Sequence, residues 1–212
     1  MAKKEWFREI DMSQESKNWY TLWNKWLKLL DGTGEPHITS HPMERISTTP
    51  PQRICKYDVF ISFRGADTRN TIVDHLYNHL IRKGIFTFKD DKTLEQGQPI
   101  SSQLMQAIRD SRVSIVVFSK EYPTSSWCLD EMAAIVDCQR EFNQAILPVF
   151  YDVDPSHVRK QNGVYHDAFI SHSQTQQLNK LRRWKSAMTT LANSVGWDVR
   201  NKYVYYHTNH SY

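Results

Sequence analysis

The chain has 212 residues, 40% of them hydrophobic and 12% aromatic, which suits one packed domain with extensions and excludes a disordered chain. Its net charge is only +4, and the Lys and Arg residues are spread along the sequence, which argues against a basic nucleic-acid-binding stripe but leaves room for weak contact with anionic surfaces.

The N-terminus, MAKKEWFREIDMSQ, lacks the apolar core of a signal peptide, and Ala2 stands where myristoylation needs glycine. Residues 1–30 then read as an amphipathic, Trp-rich helical extension. Trp19, Trp23, Trp26, Leu27 and Leu30 fall on one helix face with Lys17, Lys25 and Lys28 interleaved. That face suits docking on a protein surface, or lying on a membrane. Residues 31–53, rich in Gly, Pro, Ser and Thr, read as a linker.

From Lys56 short apolar runs alternate with helical patterns. YDVFISF (57–63) precedes a helix in which Ile72, Val73, Leu76, Leu80 and Ile81 keep helical spacing up to Gly84. IFTFKD, a polar loop and the helix ISSQLMQAIRD follow. Next come the run VSIVVFS (113–119), a helix from about Cys128 to Phe142, and the run ILPVFY (146–151). Leu178, Leu181, Trp184, Met188, Leu191 and Val195 mark a last packing helix, and residues 201–212 form a tail without periodicity. This rhythm predicts an α/β domain with a parallel sheet, helices on both faces, and ligands at the C-terminal ends of the strands. No apolar run is long enough for a transmembrane segment. Cys55, Cys128 and Cys138 show neither C-x-x-C nor zinc spacing and read as thiols in a reducing compartment, so a cytoplasmic or nuclear protein is expected.

Four blocks stand in register: YDVFISFRGADTR, GIFTFKDDKTLEQGQPISSQLMQAI, SRVSIVVFSKEYPTSSWCLDEM and ILPVFYDVDPSHVRKQNG. Together they resemble a plant Toll/interleukin-1 receptor (TIR) domain over about residues 54–200. The resemblance implies a flavodoxin-like three-layer fold with five parallel strands. Four strands are clear, and the fifth is expected between Val164 and Leu181. With no P-loop and no leucine repeat in the chain, a TIR-only protein or a truncated receptor product is expected.

Residue physics alone reads Glu131 as an acid favoured in the first turn of a helix. The resemblance implies instead the glutamate with which enzymatic TIR domains cleave NAD+. One carboxylate is chemically adequate. Nicotinamide leaves as a neutral base and needs no general acid, so the protein has only to stabilise an oxocarbenium-like ribose. Asp130 reads as a cap or surface acid.

In FRGADTR, Gly65 permits close backbone approach, and Asp67 or Thr68 suits a helix cap. The resemblance makes Arg64, Gly65, Ala66, Asp67 and Thr68 the lining of the NAD+ site, although the family commonly has an acid where Ala66 stands. It also assigns the loop around Gly97 to gating and to bridging neighbouring TIR domains. Asp90 and Asp91 suggest a phospho-acceptor receiver domain, but Ser62 and Phe63 end the first run and Ser119 the third, where a receiver needs acids.

Trp127 reads as core or pocket floor. Cys128 reads as a small buried thiol, or by resemblance as part of a second, nucleic-acid-directed activity. Asp74 and His75 fall where the family self-associates through a Ser-His pair. His79 adds an H-x-x-x-H spacing that lacks a third ligand, so no metal site is expected. The functional expectation is an NAD+ glycohydrolase of the ADP-ribosyl cyclase/cyclic ADP-ribose hydrolase type, active on self-association in plant innate immunity. NAD+ is its substrate, no cofactor is expected, and other TIR domains and downstream defence proteins are its partners. The alternative is a non-catalytic adaptor or decoy that binds other TIR domains.

Overall fold

The run YDVFISF forms strand β1 (Tyr57–Phe63), buried from Val59 to Phe63 because it has sheet neighbours on either side and helices above and below. β1 pairs with β2 (Thr87–Lys89) on one side and with β3 (Ser111–Phe118) on the other, and β4 (Ala145–Tyr151) and β5 (Trp197–Val199) continue the sheet. All pairings are parallel, in the order 2-1-3-4-5. This is the expected five-stranded flavodoxin-like sheet. The computed structural model describes residues 55–89, 102–194 and 196–199. The readings made on 1–30, on 31–53, on the loop holding Gly97 and on the 201–212 tail lie outside them.

Right-handed crossovers leaving β1 and β3 in opposite directions put helices on opposite faces of the sheet. After β1 come a short helix α1 (Gly65–Thr68), a π-helical turn (Arg69–Val73) and α2 (Asp74–Arg82). The single expected helix is therefore broken, at Thr71, whose backbone (φ −126°, ψ −113°) is not helical. Val73, Leu76 and Leu80 are buried as their spacing requires, whereas Ile81 faces solvent.

Helix α3 (Ser102–Arg109) leads into β3, and a 3₁₀ turn (Tyr122–Thr124) leads into α4 (Ser126–Phe142). α4 is buried along most of its length, flanked by α3 and by the last helix. α5 (Pro155–Lys160) starts at an Asp154 cap that accepts the Ser156 amide at 2.7 Å. α7 (Leu178–Ala192) buries Leu181, Trp184, Met188 and Leu191, while Leu178 at the start of the stripe is exposed.

The fifth strand is not where it was expected. Residues 164–173 form helix α6 (Val164–Ser173), and β5 is the three-residue segment after α7. Gly196 explains how the chain enters that position. A Cβ there would lie 2.6 Å from the Pro148 carbonyl oxygen and 2.9 Å from Phe150, so only glycine lets the backbone come this close to β4.

Candidate functional site at the switch between strands one and three

β1 and β3 are neighbours, yet their connections run to opposite edges of the sheet. A crevice opens where such paths diverge, outside the strand C-termini, and in open α/β sheets it is the usual ligand position. Ser62 and Phe63 end β1 there, and the segment after β3 carries Ser119, Tyr122 and the start of α4.

Ser125 caps α4 by accepting the Cys128 amide at 3.3 Å, and this sets the helix start at Ser126 rather than near Cys128. Glu131 is thereby in the second turn, not the first. The dipole effect fades within the first turn, so helix preference does not account for this acid. Its side chain points inward and is only 4% exposed.

The Ser62 hydroxyl donates to Glu131 Oε2 at 2.6 Å. The Tyr122 hydroxyl lies 2.9 Å from Ser62 Oγ and also donates to the Cys128 carbonyl at 3.0 Å. Burial, with lesser contributions from Cys128 and Glu131, holds the Tyr122 phenol well above its ordinary pKa, so it remains a proton donor. Sequence reasoning missed both hydroxyls as site groups. Ser62 serves there only to exclude a receiver domain, and Tyr122 is not singled out. The available signal was a serine inside an otherwise apolar central strand.

Burial also pushes the Cys128 thiol up to about 12, with Glu131 adding to the shift while the Ser125 hydrogen bond and the Arg64 charge oppose it. Its Sγ lies 3.5 Å from the Phe63 carbonyl. A thiol so hard to ionise is a packing group, not a nucleophile.

The FRGADTR segment reaches the same edge, but its side chains do other things than expected. Neither Asp67 nor Thr68 caps a helix. Thr68 turns back to donate to the Arg64 carbonyl at 2.5 Å. Asp67 crosses to the loop after β3, accepting the Ser119 hydroxyl and the Glu121 amide, each at 3.0 Å, and so ties the segments after β1 and β3 together. Gly65 is approached by its own helix neighbour, since an added Cβ would meet Arg69 Nη2 at 2.7 Å. Ala66 is exposed. Arg64 Nε is buried with no hydrogen-bond partner among the described residues, and so is Trp127 Nε1, whose ring packs on the core. Gly97 lies outside the described residues.

Asp130 is neither a cap nor a surface acid. It accepts from Trp184 Nε1 at 2.8 Å and pairs with Lys180 Nζ at 2.8 Å, fastening α7 to α4. On α2, Asp74 accepts from Asn78 at 3.0 Å and His75 is exposed. His79 has its pKa lowered by burial and then by Lys83 and Arg82. No described helix is long and apolar enough to cross a membrane, and no three potential metal ligands come together among the described residues.

A model of the TIR domain matches residues 56–206. The chain is 49% identical over 154 residues to the disease resistance protein RPV1 of Vitis rotundifolia, covering 72% of this chain and 11% of that protein. It is also 49% identical over 149 residues to the TMV resistance protein N of Nicotiana glutinosa, covering 69% of this chain and 13% of that one. It therefore spans 11–13% of the length of these relatives. A solved structure of the TIR domains of the activated Roq1 resistosome, which directly recognises the pathogen effector XopQ, superposes with a TM-score of 0.62 at 53% identity. The match covers 69% of this chain and 90% of that one. With the parallel 2-1-3-4-5 sheet and the four sequence blocks in register, these likenesses agree: the chain belongs to the TIR-domain family, homologous to the TIR domains of plant disease resistance proteins.

Proposed function

We propose that the chain hydrolyses NAD+ at the nicotinamide–ribose bond, acting on self-association in plant innate immune signalling. The observation that carries this reading is the position of Glu131: a carboxyl side chain, 4% exposed, hydrogen-bonded by a buried serine at the switch point of a parallel sheet. An acid is rarely enclosed in this way without a task.

In the proposed reaction the bond between ribose C1′ and the pyridinium nitrogen breaks. The bonding electron pair goes to that nitrogen, and nicotinamide leaves neutral. The positive charge passes to the ribose as an oxocarbenium-like centre, which the Glu131 carboxylate stabilises from a site where water screens little. Water adds at C1′ and releases a proton, giving ADP-ribose. The buried donors Arg64 Nε and Trp127 Nε1, without a hydrogen-bond partner among the described residues, suit the polar groups of such a substrate. Asp67 supports the site by holding the loops after β1 and β3 together.

Because Glu131 is nearly enclosed in the single chain, substrate access needs the sheet edge to rearrange, and this couples turnover to self-association. The test is nicotinamide release by purified protein, wild type against Glu131→Ala, across a range of protein concentrations. The reading requires turnover per chain to rise with concentration and to fall by about 100-fold or more in the variant. Equal rates in the two proteins would remove it. A non-catalytic module that docks other TIR domains is favoured by a separate observation. Ala66, where the family commonly has an acid, is exposed, and association without nicotinamide release at any concentration is what that second reading expects.

A further inference from the structure

We infer that Ser62, backed by Tyr122, is the positioning residue that fixes the orientation of Glu131. The inference rests on the proposed NAD+ reading for its kinetic consequence, although its geometry is independent of that reading.

Ser62 lies at the C-terminal end of β1, in register with Val116 of β3, and is fully buried. Glu131 reaches it from the second turn of α4, 69 residues away in sequence. At 2.6 Å the Ser62–Glu131 bond has the length of a charge-assisted O–H···O⁻ hydrogen bond, about 2.5–2.7 Å. A serine hydroxyl has one proton. With that proton given to Glu131, Ser62 Oγ can only accept in the 2.9 Å contact to Tyr122, so the single phenol proton is shared between Ser62 Oγ and the Cys128 carbonyl at 3.0 Å. The Tyr122 hydroxyl thus braces the serine that holds the carboxylate. The tyrosine ring cannot shift, because it is fully buried and meets Phe118 edge-on with centroids 5.2 Å apart. The strand and the 3₁₀ turn thus hold a carboxylate that is itself carried by a third element.

This arrangement pins Oε2 and leaves the carboxyl group one orientation about its last torsion, a torsion that is otherwise broad. A charge that must lie against a developing cation loses most of its effect when it can swing away, because the cost of reorienting it is then met during the reaction. Ser62 touches no reacting atom in this scheme. It acts through Glu131.

In Ser62→Ala the Tyr122 phenol retains the Cys128 carbonyl as acceptor at 3.0 Å, while buried Glu131 Oε2 loses its bond from Ser62, so stability is measured beside turnover and rates are taken per folded chain. The test has two arms on the full-length chain. In the first, nicotinamide release is measured for wild type, Ser62→Ala and Tyr122→Phe. Ser62→Ala is expected to lower kcat by about 10- to 100-fold with KM within about threefold of wild type, and Tyr122→Phe to lower kcat less, since Ser62 keeps its own bond. A rise in KM at unchanged kcat, or a Ser62→Ala rate within about twofold of wild type, would overturn the assignment.

The second arm needs no turnover. The carboxylate stretch of Glu131 is isolated by infrared difference against Glu131→Gln in protein carrying isotope-labelled glutamate. It is expected to shift and broaden in Ser62→Ala, and to a smaller extent in Tyr122→Phe. An unmoved band in a folded Ser62→Ala protein overturns the positioning role even where wild type is active. Wild type without nicotinamide release but with the band shift retires the NAD+ reading and leaves the positioning geometry standing. Should Ser62→Ala not fold, Tyr122→Phe decides on the same band.

Discussion

Asp130 and Glu131 are consecutive acids on one helix, about 100° apart around its axis, and the protein uses them in opposite ways. Asp130 faces α7 and meets an indole N–H and a lysine ammonium, with its side chain 16% exposed. Glu131 faces the sheet and meets a serine hydroxyl that is itself backed by a phenol. The first is a fastener between two helices, with a cation at the solvent boundary to offset its charge. The second is an enclosed acid held against the C-terminal end of β1, where the strand order reverses. Chemical type did not sort them. The direction in which each left the helix did.

The strongest way to break this contrast is to exchange the consequences of losing each acid. Glu131→Ala is expected to remove nicotinamide release by about 100-fold or more while circular dichroism stays that of the folded domain. Asp130→Ala is expected to do the reverse. It leaves Trp184 Nε1 without its acceptor and Lys180 without its partner, so urea unfolding should show a loss of about 2 kcal/mol, with turnover per folded chain within about threefold of wild type. If Asp130→Ala abolished turnover at full stability, the division of labour would be wrong.

A smaller effect separates the two faces by pH. Cys128 lies on the enclosed side, and its folded-state pKa of about 12 exceeds the 9.0 of the ordinary thiol. The folded state thus holds this proton more tightly than the unfolded chain does. Its contribution is fully present below pH 9 and is lost as pH rises toward 12. Tyr122 and Tyr165, both raised by burial, act in the same direction. Thermal melts should therefore fall across that range, and Cys128→Ala should flatten the fall. The same thiol should react with a disulfide reagent at neutral pH far more slowly than half-buried Cys55.

The smallest expected change is Asp67→Asn. The amide retains an acceptor for one of the two donors, Ser119 Oγ and Glu121 N–H, and should cost about 1 kcal/mol in urea unfolding. A loss of several kcal/mol would mean that the bridge between the two loops organises more of the edge than its two bonds suggest.

Much of this was legible beforehand, for reasons of range. An apolar run buried on both faces announces a central strand wherever it occurs, and the β1, β3 and β4 segments did so. The α7 stripe of Leu181, Trp184, Met188 and Leu191 announced a buried helix face for the same reason. β5 escaped because three residues are too few to show a period, and because its place depends on Gly196 passing close to the Pro148 carbonyl. The break at Thr71 escaped because a π-helical turn keeps the apolar spacing nearly intact while changing the backbone. Glu131 was singled out from its motif. Ser62 and Tyr122 were not, because their partners lie 60 and 69 residues away.

By itself, then, the sequence determined the strand–helix alternation, the parallel sheet and the TIR blocks, since each is written in spacings of a few residues. Tertiary structure alone decided which hydroxyl meets Glu131, that Asp67 spans two loops instead of capping one helix, and that Asp130 anchors α7. Those outcomes depend on the register of β1 against β3 and on the rotation of α4 over the sheet. A one-residue change in either would turn the same side chains to other partners.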